Sequence, residues 1–469
     1  VSFEKLTVPG LSDDELATLN ENAEELADKS RRNLLRSSYY DGKRAAQQVG
    51  SVIPPQYANI GLALGWAAKG VDGLARRCNL EKMIWAGGDL ESLGMSELEE
   101  SNFLFSEVSQ ARTDSLLHGV SYLITTKGDT AAGEPAALVH AKDALNAYGQ
   151  WNARKRSLDN LLSVTSREDG KITGFVLYLD GLTISADKVD GAWQVSRSEH
   201  PWGVPADPLV YRPRGSRRMG RSRITRPVMS HQDSALRALV RLEGHMDIYT
   251  IPKMILLGAD ESIFKNADGS QKASWQVALG RTFGIPDDND SNVANPRADV
   301  KQFDAQSPDS HLAQLNALAK LMARETDLPD SDFALTDMAN PTSADAYSAS
   351  RENLISEAEG TMGDWSVPIR RTVNRALAIQ NGLTEVPEAW GSIETKWRSP
   401  IYLSKAAAAD AGAKQIAVIP WLAETEVGLE LLGLDEQQIR RAMADKRRAA
   451  GRAVVAALTP TPPTNANGG

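Results

Sequence analysis

Residues 233–250, DSALRALVRLEGHMDIYT, and residues 307–329, SPDSHLAQLNALAKLMARETDLP, decide how this chain is read: two helix-length segments flank a long, turn-rich insert. On the first, Leu236, Leu239, Val240 and Met246 share one stripe, while Asp233, Arg237, Arg241 and His245 recur every four residues on another. On the second, Ser307 is a cap, Pro308 suits the first helical position, and Leu312, Leu315, Leu318, Leu321 and Met322 are the buried candidates. Lys320 and Arg324 stand four apart, so each helix carries a charged stripe beside its apolar one. For any single one of these residues a solvated helix face explains the pattern as well as a lining role does.

Working outward, the insert between them, 251–306, holds an Asp268-Gly269 turn, a WQVALGR run, the acidic stretch Asp287-Asp288-Asn289-Asp290 and a strand expected in VKQFDA. The acidic stretch lacks the central Gly and terminal Glu of a calcium-binding helix–loop–helix, so an exposed loop that contacts a partner is expected rather than a metal site. Beyond the second helix comes DSDFALTDMANPTSADAY, 330–347, and then a helix opening ASRENLISEAEG, 349–360. Asp327, Asp330, Asp332, Asp337 and Asp345 fall in this region with no Lys or Arg between them.

On the amino-terminal side, Ser12-Asp13-Asp14-Glu15 is a capping box, and Leu16, Leu19, Ala23 and Leu26 carry a long helix to Tyr39-Tyr40. Asn59 to Arg77 reads as a second helix whose glycines permit close packing, and Phe103 to His118 as a third that Gly119 breaks before a strand over Val120–Thr126. Between Lys171 and Arg212 the period falls to two, with hairpin turns at Asp180-Gly181 and Asp190-Gly191. HPWGVPADPLVYRPR is too rich in proline for a central strand and should lie at a sheet edge. The run Arg212, Arg214, Arg217, Arg218, Arg221, Arg223 and Arg226 follows; arginines this dense in an acidic chain need anionic partners, and a subunit interface is favoured over DNA contact. Past residue 381 the segments read as helices joined by short loops, and TPTPPTNANGG as disordered.

Composition removes several classes. The net charge of −9 argues against generic tight DNA binding, which needs many phosphate contacts, although it suits a conduit past which DNA must slide. Cys78 is the one cysteine, so neither an intrachain disulfide nor a cysteine metal cluster is possible, which fits a reducing compartment. No apolar run approaches the roughly eighteen residues of a membrane span, and no secretory signal is expected. A phosphate-binding GxxxxGK[ST] loop and an HExxH motif are both missing, the six histidines show no ligand spacing, and Ile224 stands where a GxSxG elbow would close. Metals and cofactors are therefore not expected.

The order of segments resembles that of the portal proteins of tailed double-stranded DNA bacteriophages. The most specific match is Met338-Ala339-Asn340-Pro341-Thr342-Ser343-Ala344-Asp345-Ala346, which is similar to that family's entry to its long helix. Gly203, Pro205, Pro208, Arg212, Pro213 and Arg214 resemble the approach to its stem, and Gly220-Arg221-Ser222 the step before its first stem helix. The resemblance implies an α+β, mainly helical portal fold: a wing over 1–232 with a β-meander at 171–212, a first stem helix 233–250, a clip 251–306, a second stem helix 307–326, a tunnel loop 327–342, a long wing and crown helix 343–382, a crown 383–458 and a tail 459–469. It further implies a ring, usually a dodecamer, at one capsid vertex of the virion, assembled in the host cytoplasm around a channel for double-stranded DNA. Expected partners are the terminase, the head–tail adaptor, the major capsid protein and a scaffolding protein. Implied roles are Asp327, Asp330, Asp332, Asp337 and Asn340 in the tunnel, Arg237, Arg241, Lys320 and Arg324 along the stem channel, Arg214, Arg217, Arg218, Arg221 and Arg223 between subunits, and Asp287, Asp288 and Asp290 in the clip. A multidomain hydrolase using the acidic loop after Asp327, or a structural head protein without a channel, are the alternatives.

Overall fold

The computed structural model describes residues 5–43, 61–249, 254–257, 265–266, 268–270, 299–302, 307–333, 351–401 and 405–458. The chain divides into two compact units, Val1–Arg398 and Ser399–Gly469.

In the first unit, α1 (Asp13–Tyr40) opens with the expected capping box: Ser12 Oγ accepts from the Glu15 amide and the Glu15 carboxylate accepts from the Ser12 amide at 2.7 Å. α2 (Trp66–Ala75) is shorter than the pattern from Asn59 suggests, because residues 61–65 are not helical and Gly61 has φ +72°. After β1 (Leu80–Trp85) and α3 (Met95–Asn102), α4 (Leu104–His118) ends at Gly119, whose φ of +108° turns the chain directly into β2 (Val120–Lys127). β2 is the middle of a three-stranded antiparallel sheet, between β3 (Ala137–Asp143) and β9 (Ala206–Val210). As its prolines require, the segment carrying Pro208 is an edge strand.

The meander is larger than the alternating pattern indicated. β4 (Ala147–Asn152) and β5 (Ser157–Glu168) precede β6 (Lys171–Leu179), β7 (Leu182–Val189) and β8 (Ala192–Glu199), and all five pair antiparallel in chain order. Two-residue turns join β6 to β7 at Asp180-Gly181 and β7 to β8 at Asp190-Gly191, with Gly181 at φ +78° and Gly191 at +83°. Asp169-Gly170 makes a third such turn before β6, and it was the available signal for the missed strand β5. One face of the meander packs on α1 through Leu19, Ala23, Leu26, Leu162, Phe175, Leu177 and Ile184. Tyr122 and Ile124 of β2 meet Leu158, Leu161 and Tyr178 in a second cluster that joins the two sheets.

α5 (Arg226–Tyr249) starts earlier than residue 233, since Thr225 precedes the first turn and Pro227 lies within it. β10 (Met254–Leu257) and β11 (Asp299–Gln302) then pair antiparallel, and α6 (Asp309–Thr326) packs on α5. The two helices run antiparallel, with the His245 and His311 rings 5.1 Å apart near the end of one and the start of the other. Ala235, Leu236, Ala238, Val240, Ala319, Met322 and Ala323 are buried, whereas Met246 and Leu321 are 47% and 45% exposed. The stripe expected to bury them therefore stops short: two packed helices cover only one face of each, and these side chains lie off it.

α7 (Glu352–Gln380) runs through the main core, burying Leu354, Trp365, Ile369, Val373 and Leu377. The stretch after it is not the start of a separate helical crown: β12 (Ile393–Trp397) pairs with β1, and Trp390 and Ile393 are buried in the same core. The compact second unit begins at Ser399 and holds α8 (Lys405–Val418), α9 (Glu426–Leu431, capped by Thr425) and α10 (Glu436–Leu458). Gly412 permits the crossing of α8 and α9, since a Cβ there would stand 2.1 Å from the Leu431 carbonyl oxygen.

Candidate functional site

Several of the singled-out residues meet where β9 leads into α5. The connecting loop is strapped to the α4–β2 junction: the Tyr211 amide donates to Gly119 O at 3.0 Å, Arg221 to Tyr211 O at 2.9 Å and Arg223 to Leu116 O at 2.8 Å, while Ser222 Oγ donates to Leu117 O at 2.6 Å. A Cβ on Gly220 would lie 2.4 Å from both Gly119 O and Tyr211 O, and its φ is +70°, so only glycine fits. The Gly220-Arg221-Ser222 step thus aims Arg223 into the protein.

There Arg223 Nε donates to Gly70 O at 2.5 Å, Nη1 to Tyr211 Oη at 2.9 Å and to Glu357 Oε2 at 2.7 Å, and Nη2 to Thr326 O. Glu357 also accepts from Tyr211 Oη and pairs with Arg212 at 2.7 Å. Arg223 and Glu357 are almost wholly buried, at 4% and 8% side-chain exposure, so each depends on the other for its charge. Burial works against the Arg223 cation, and the Tyr211 and Glu357 oxygens outweigh it, raising its pKa; burial pushes the Tyr211 phenol up to about 12. One guanidinium therefore joins α2 (Gly70), the end of α6 (Thr326), the entry to α5 and α7 (Glu357). Arg223 was expected at a subunit interface; it is instead spent entirely within its own chain, because its four acceptors enclose it.

The close approach at this knot has a sequence cause in α2. A Cβ on Gly70 would meet Thr326 Cγ2 at 3.0 Å, and one on Gly73 would meet Leu328 Cδ2 at 2.7 Å, so the two glycines admit the chain that leaves α6. The Trp66 ring continues that cradle, edge-on to Phe333 at 5.9 Å. Asp327 caps α6 in the left-handed region, φ +53°, and lies 3.7 Å from Arg212; Asp330 is exposed, and Asp332 lies 3.8 Å from Arg351. Two of the carboxylates that have no Lys or Arg between them in the sequence are thus partly neutralised by arginines from elsewhere in the chain. Asp337, Asn340 and Asp345, with Asp287, Asp288 and Asp290 of the insert and the tail 459–469, lie outside the described residues.

The remaining arginines of the loop do point outward. Arg214, Arg217 and Arg218 are exposed, with Arg218 5.5 Å above the Trp151 ring. Arg221 and Arg217 crowd Arg36 of α1, which burial and then Arg32, Arg217 and Arg221 push down to about 10. Among the described residues no carboxylate pairs with Arg214, Arg217, Arg218 or Arg221. Nearby Asp114 is pushed up to about 7, by burial and then Asp143. Along the helix pair, Arg237 is half-buried and donates to Ser234 Oγ at 2.9 Å, Arg241 is half-buried, and Lys320 and Arg324 are exposed. Sequence reasoning missed Tyr211 and Glu357; Arg223 and Glu357 are 134 residues apart, and no local pattern links them. Among the described residues no group of three His, Cys, Asp or Glu side chains is placed to hold a metal ion, and no helix is long and apolar enough to cross a membrane.

The arrangement is buried and charge-paired, and it ties together α2, the end of α6, the entry to α5 and α7. The family described as phage portal protein, SPP1 Gp6-like, matches residues 21–451. The chain is similar to the portal protein of Mycobacterium phage D29, 24% identical over 419 residues that cover 88% of this chain and 83% of that one. It is likewise similar to the portal protein of Mycobacterium phage L5, 25% identical over 421 residues, 87% of this chain and 84% of that one. Among solved structures, a chain from the neck of a native GTA particle, computed with C12 symmetry, aligns over 79% of this chain and 90% of its own with a TM-score of 0.40 and 16% identity.

Proposed function

The chain belongs to the SPP1 Gp6-like phage portal protein family, a ring-forming component of the virion through which double-stranded DNA enters and leaves the head, and on that premise we propose how its parts serve that task. Twelve copies encircle the duplex at one capsid vertex, after assembly in the host cytoplasm. The α5–α6 pair forms the stem wall, with Arg237, Arg241, Lys320 and Arg324 toward the channel, and the insert between those helices forms the clip, where Asp287, Asp288 and Asp290 meet the terminase and later the head–tail adaptor. The loop after Asp327, with Asp330, Asp332, Asp337 and Asn340, hangs into the tunnel, where its surplus of carboxylates centres the duplex without gripping it. Arg214, Arg217, Arg218 and Arg221 meet acidic groups of the adjacent copy, and the wing contacts the major capsid protein and a scaffolding protein. The chain itself makes and breaks no bond.

The single observation that carries this reading is the antiparallel α5–α6 pair, bridged by the β10–β11 ladder at the insert and tied at its other end by Arg223 to Gly70, Thr326 and Glu357. A stem must be stiff along its length and anchored where the tunnel loop leaves it. Native mass spectrometry with negative-stain imaging tests the proposal: a mass of twelve subunits with annular particles is expected, and a uniform monomer across a concentration series would overturn it. The hydrolase alternative is not favoured. Asp330→Asn with Asp332→Asn should leave the ring intact and lower packaging or retention of DNA, whereas abolished turnover of a substrate would revive that alternative.

A further inference from the structure

The last helix, α10, is charged against the rest of the chain. Between Glu436 and Leu458 it carries Arg440, Arg441, Lys446, Arg447, Arg448 and Arg452 against only Glu436 and Asp445, in a protein of net charge −9. Local carboxylates account for half of these cations: Arg440 pairs with Glu436 at 2.7 Å, Arg448 with Asp445 at 2.5 Å and Lys446 with Glu424 at 3.4 Å. Among the described residues Arg441, Arg447 and Arg452 have no such partner, and all three are exposed. Arg441, Arg448 and Arg452 fall at helical spacing on one side, spanning about 16 Å at 1.5 Å per residue, with Arg440 and Arg447 on the adjoining row.

We propose that this face of α10 binds the sugar–phosphate backbone of duplex DNA, as a contact separate from the acidic tunnel loop. A protein partner would need an apolar centre to be held, since stable protein interfaces bury one. Here the exposed positions between the arginines are Ala449, Ala450 and Gly451, small groups that let a backbone come close, and among the described positions of the helix Val454, 59% exposed, is the one large apolar side chain in solvent, too little for an apolar centre. A row of guanidiniums with so little apolar filling matches a row of phosphates: five of the six cations are Arg, whose planar fork takes two oxygens of one phosphate. Sequence readout is not part of this contact, because phosphate contacts position a protein without selecting bases. The inference does not depend on the ring or on the channel assignment, as it rests on the charges of one helix.

The test is binding of a fluorescein-labelled 30-base-pair duplex to the full-length protein, followed by fluorescence anisotropy over a salt series and compared with Arg441→Gln/Arg447→Gln/Arg452→Gln, with native mass measured for both. These three arginines hold no carboxylate among the described residues, so the variant keeps the local pairs of the helix. Binding by the parent protein should weaken about ten-fold or more in the triple variant, and the slope of log Kd against log salt should fall by about two to three, at unchanged native mass. Equal affinity and equal slope in the two proteins would overturn the proposal. So would a parent protein that forms rings yet binds no duplex, an outcome that leaves the portal function untouched. A triple variant that binds duplex like the parent but loses its assembled mass would assign the face to a neighbouring copy instead.

Discussion

Glu357 is the residue on which most of the knot depends, since its two oxygens serve Arg223, Tyr211 and Arg212 at once. Glu357→Ala strands a buried guanidinium, so we expect a loss of about 3–5 kcal/mol, visible as a large fall in thermal midpoint. Arg212→Ala, which removes a half-exposed partner, should cost about 1 kcal/mol or less. Comparing the two melts separates a buried joint from a surface ion pair, and equal losses would refute the distinction. Asp114 gives a pH signature of opposite sense to an ordinary ion pair. Its folded pKa, about 7, lies above its unfolded value near 4, so the native state holds the proton more tightly. Its contribution is complete below about pH 4 and is lost as pH rises through 7. Asp114→Asn should therefore raise the midpoint at pH 8 and change it little at pH 4; an equal gain at both would show that the carboxyl is not held protonated. Neither effect was legible in the sequence, because burial by distant segments creates both.

At the scale of elements, local signals were strong wherever backbone geometry is dictated by a few adjacent residues. Ser12 with Glu15 fixed the start of α1, Gly119 the break between α4 and β2, and the Asp-Gly pairs the turns of the meander. The glycines of α2 were read as packing positions, and Gly70 and Gly73 do admit Thr326 and Leu328. Patterns failed where burial is two-sided: β5 is buried along much of its length and so does not alternate, and β12 is recognisable only by its partner β1, some 300 positions away in the chain. The loop before α5 offers the sharpest test at this scale. Gly220→Ala adds a Cβ that collides with two carbonyl oxygens at a left-handed φ, and should cost more than about 2 kcal/mol. Gly215→Ala, in the same loop with open space around it, should be nearly neutral. Chemical denaturation of the two variants decides it, and a neutral Gly220→Ala would mean that the strap is not as close as described.

For the whole molecule, the boundary of the compact units matters most. The sequence placed the crown from residue 383, yet residues up to Arg398 complete the core of the first unit through Trp390 and Ile393. A chain ended after Arg398 should fold with a single cooperative transition, whereas one ended at residue 382 should lose the β12 pairing to β1 and melt earlier or aggregate. Circular dichroism melts of the two truncations check this, and identical melts would place the boundary where the sequence did. The same boundary separates the acidic body from α10, so removal of the second unit should also abolish the salt-sensitive DNA binding inferred for that helix.

The chain's order of segments, its capping and turn residues, and its lack of the motifs of catalysis were sufficient by themselves to identify the portal resemblance, the helix pair and the meander, because these features are encoded within windows of a few residues. Only the tertiary structure decided which arginine is buried and which face outward. The run from Arg212 to Arg226 is uniform as sequence, but the straps at Gly119, Leu116 and Leu117 turn Arg223 inward to Gly70, Thr326 and Glu357 and leave Arg214, Arg217 and Arg218 in solvent. Charge is written in the sequence; its partner is set by how distant backbone segments are brought together.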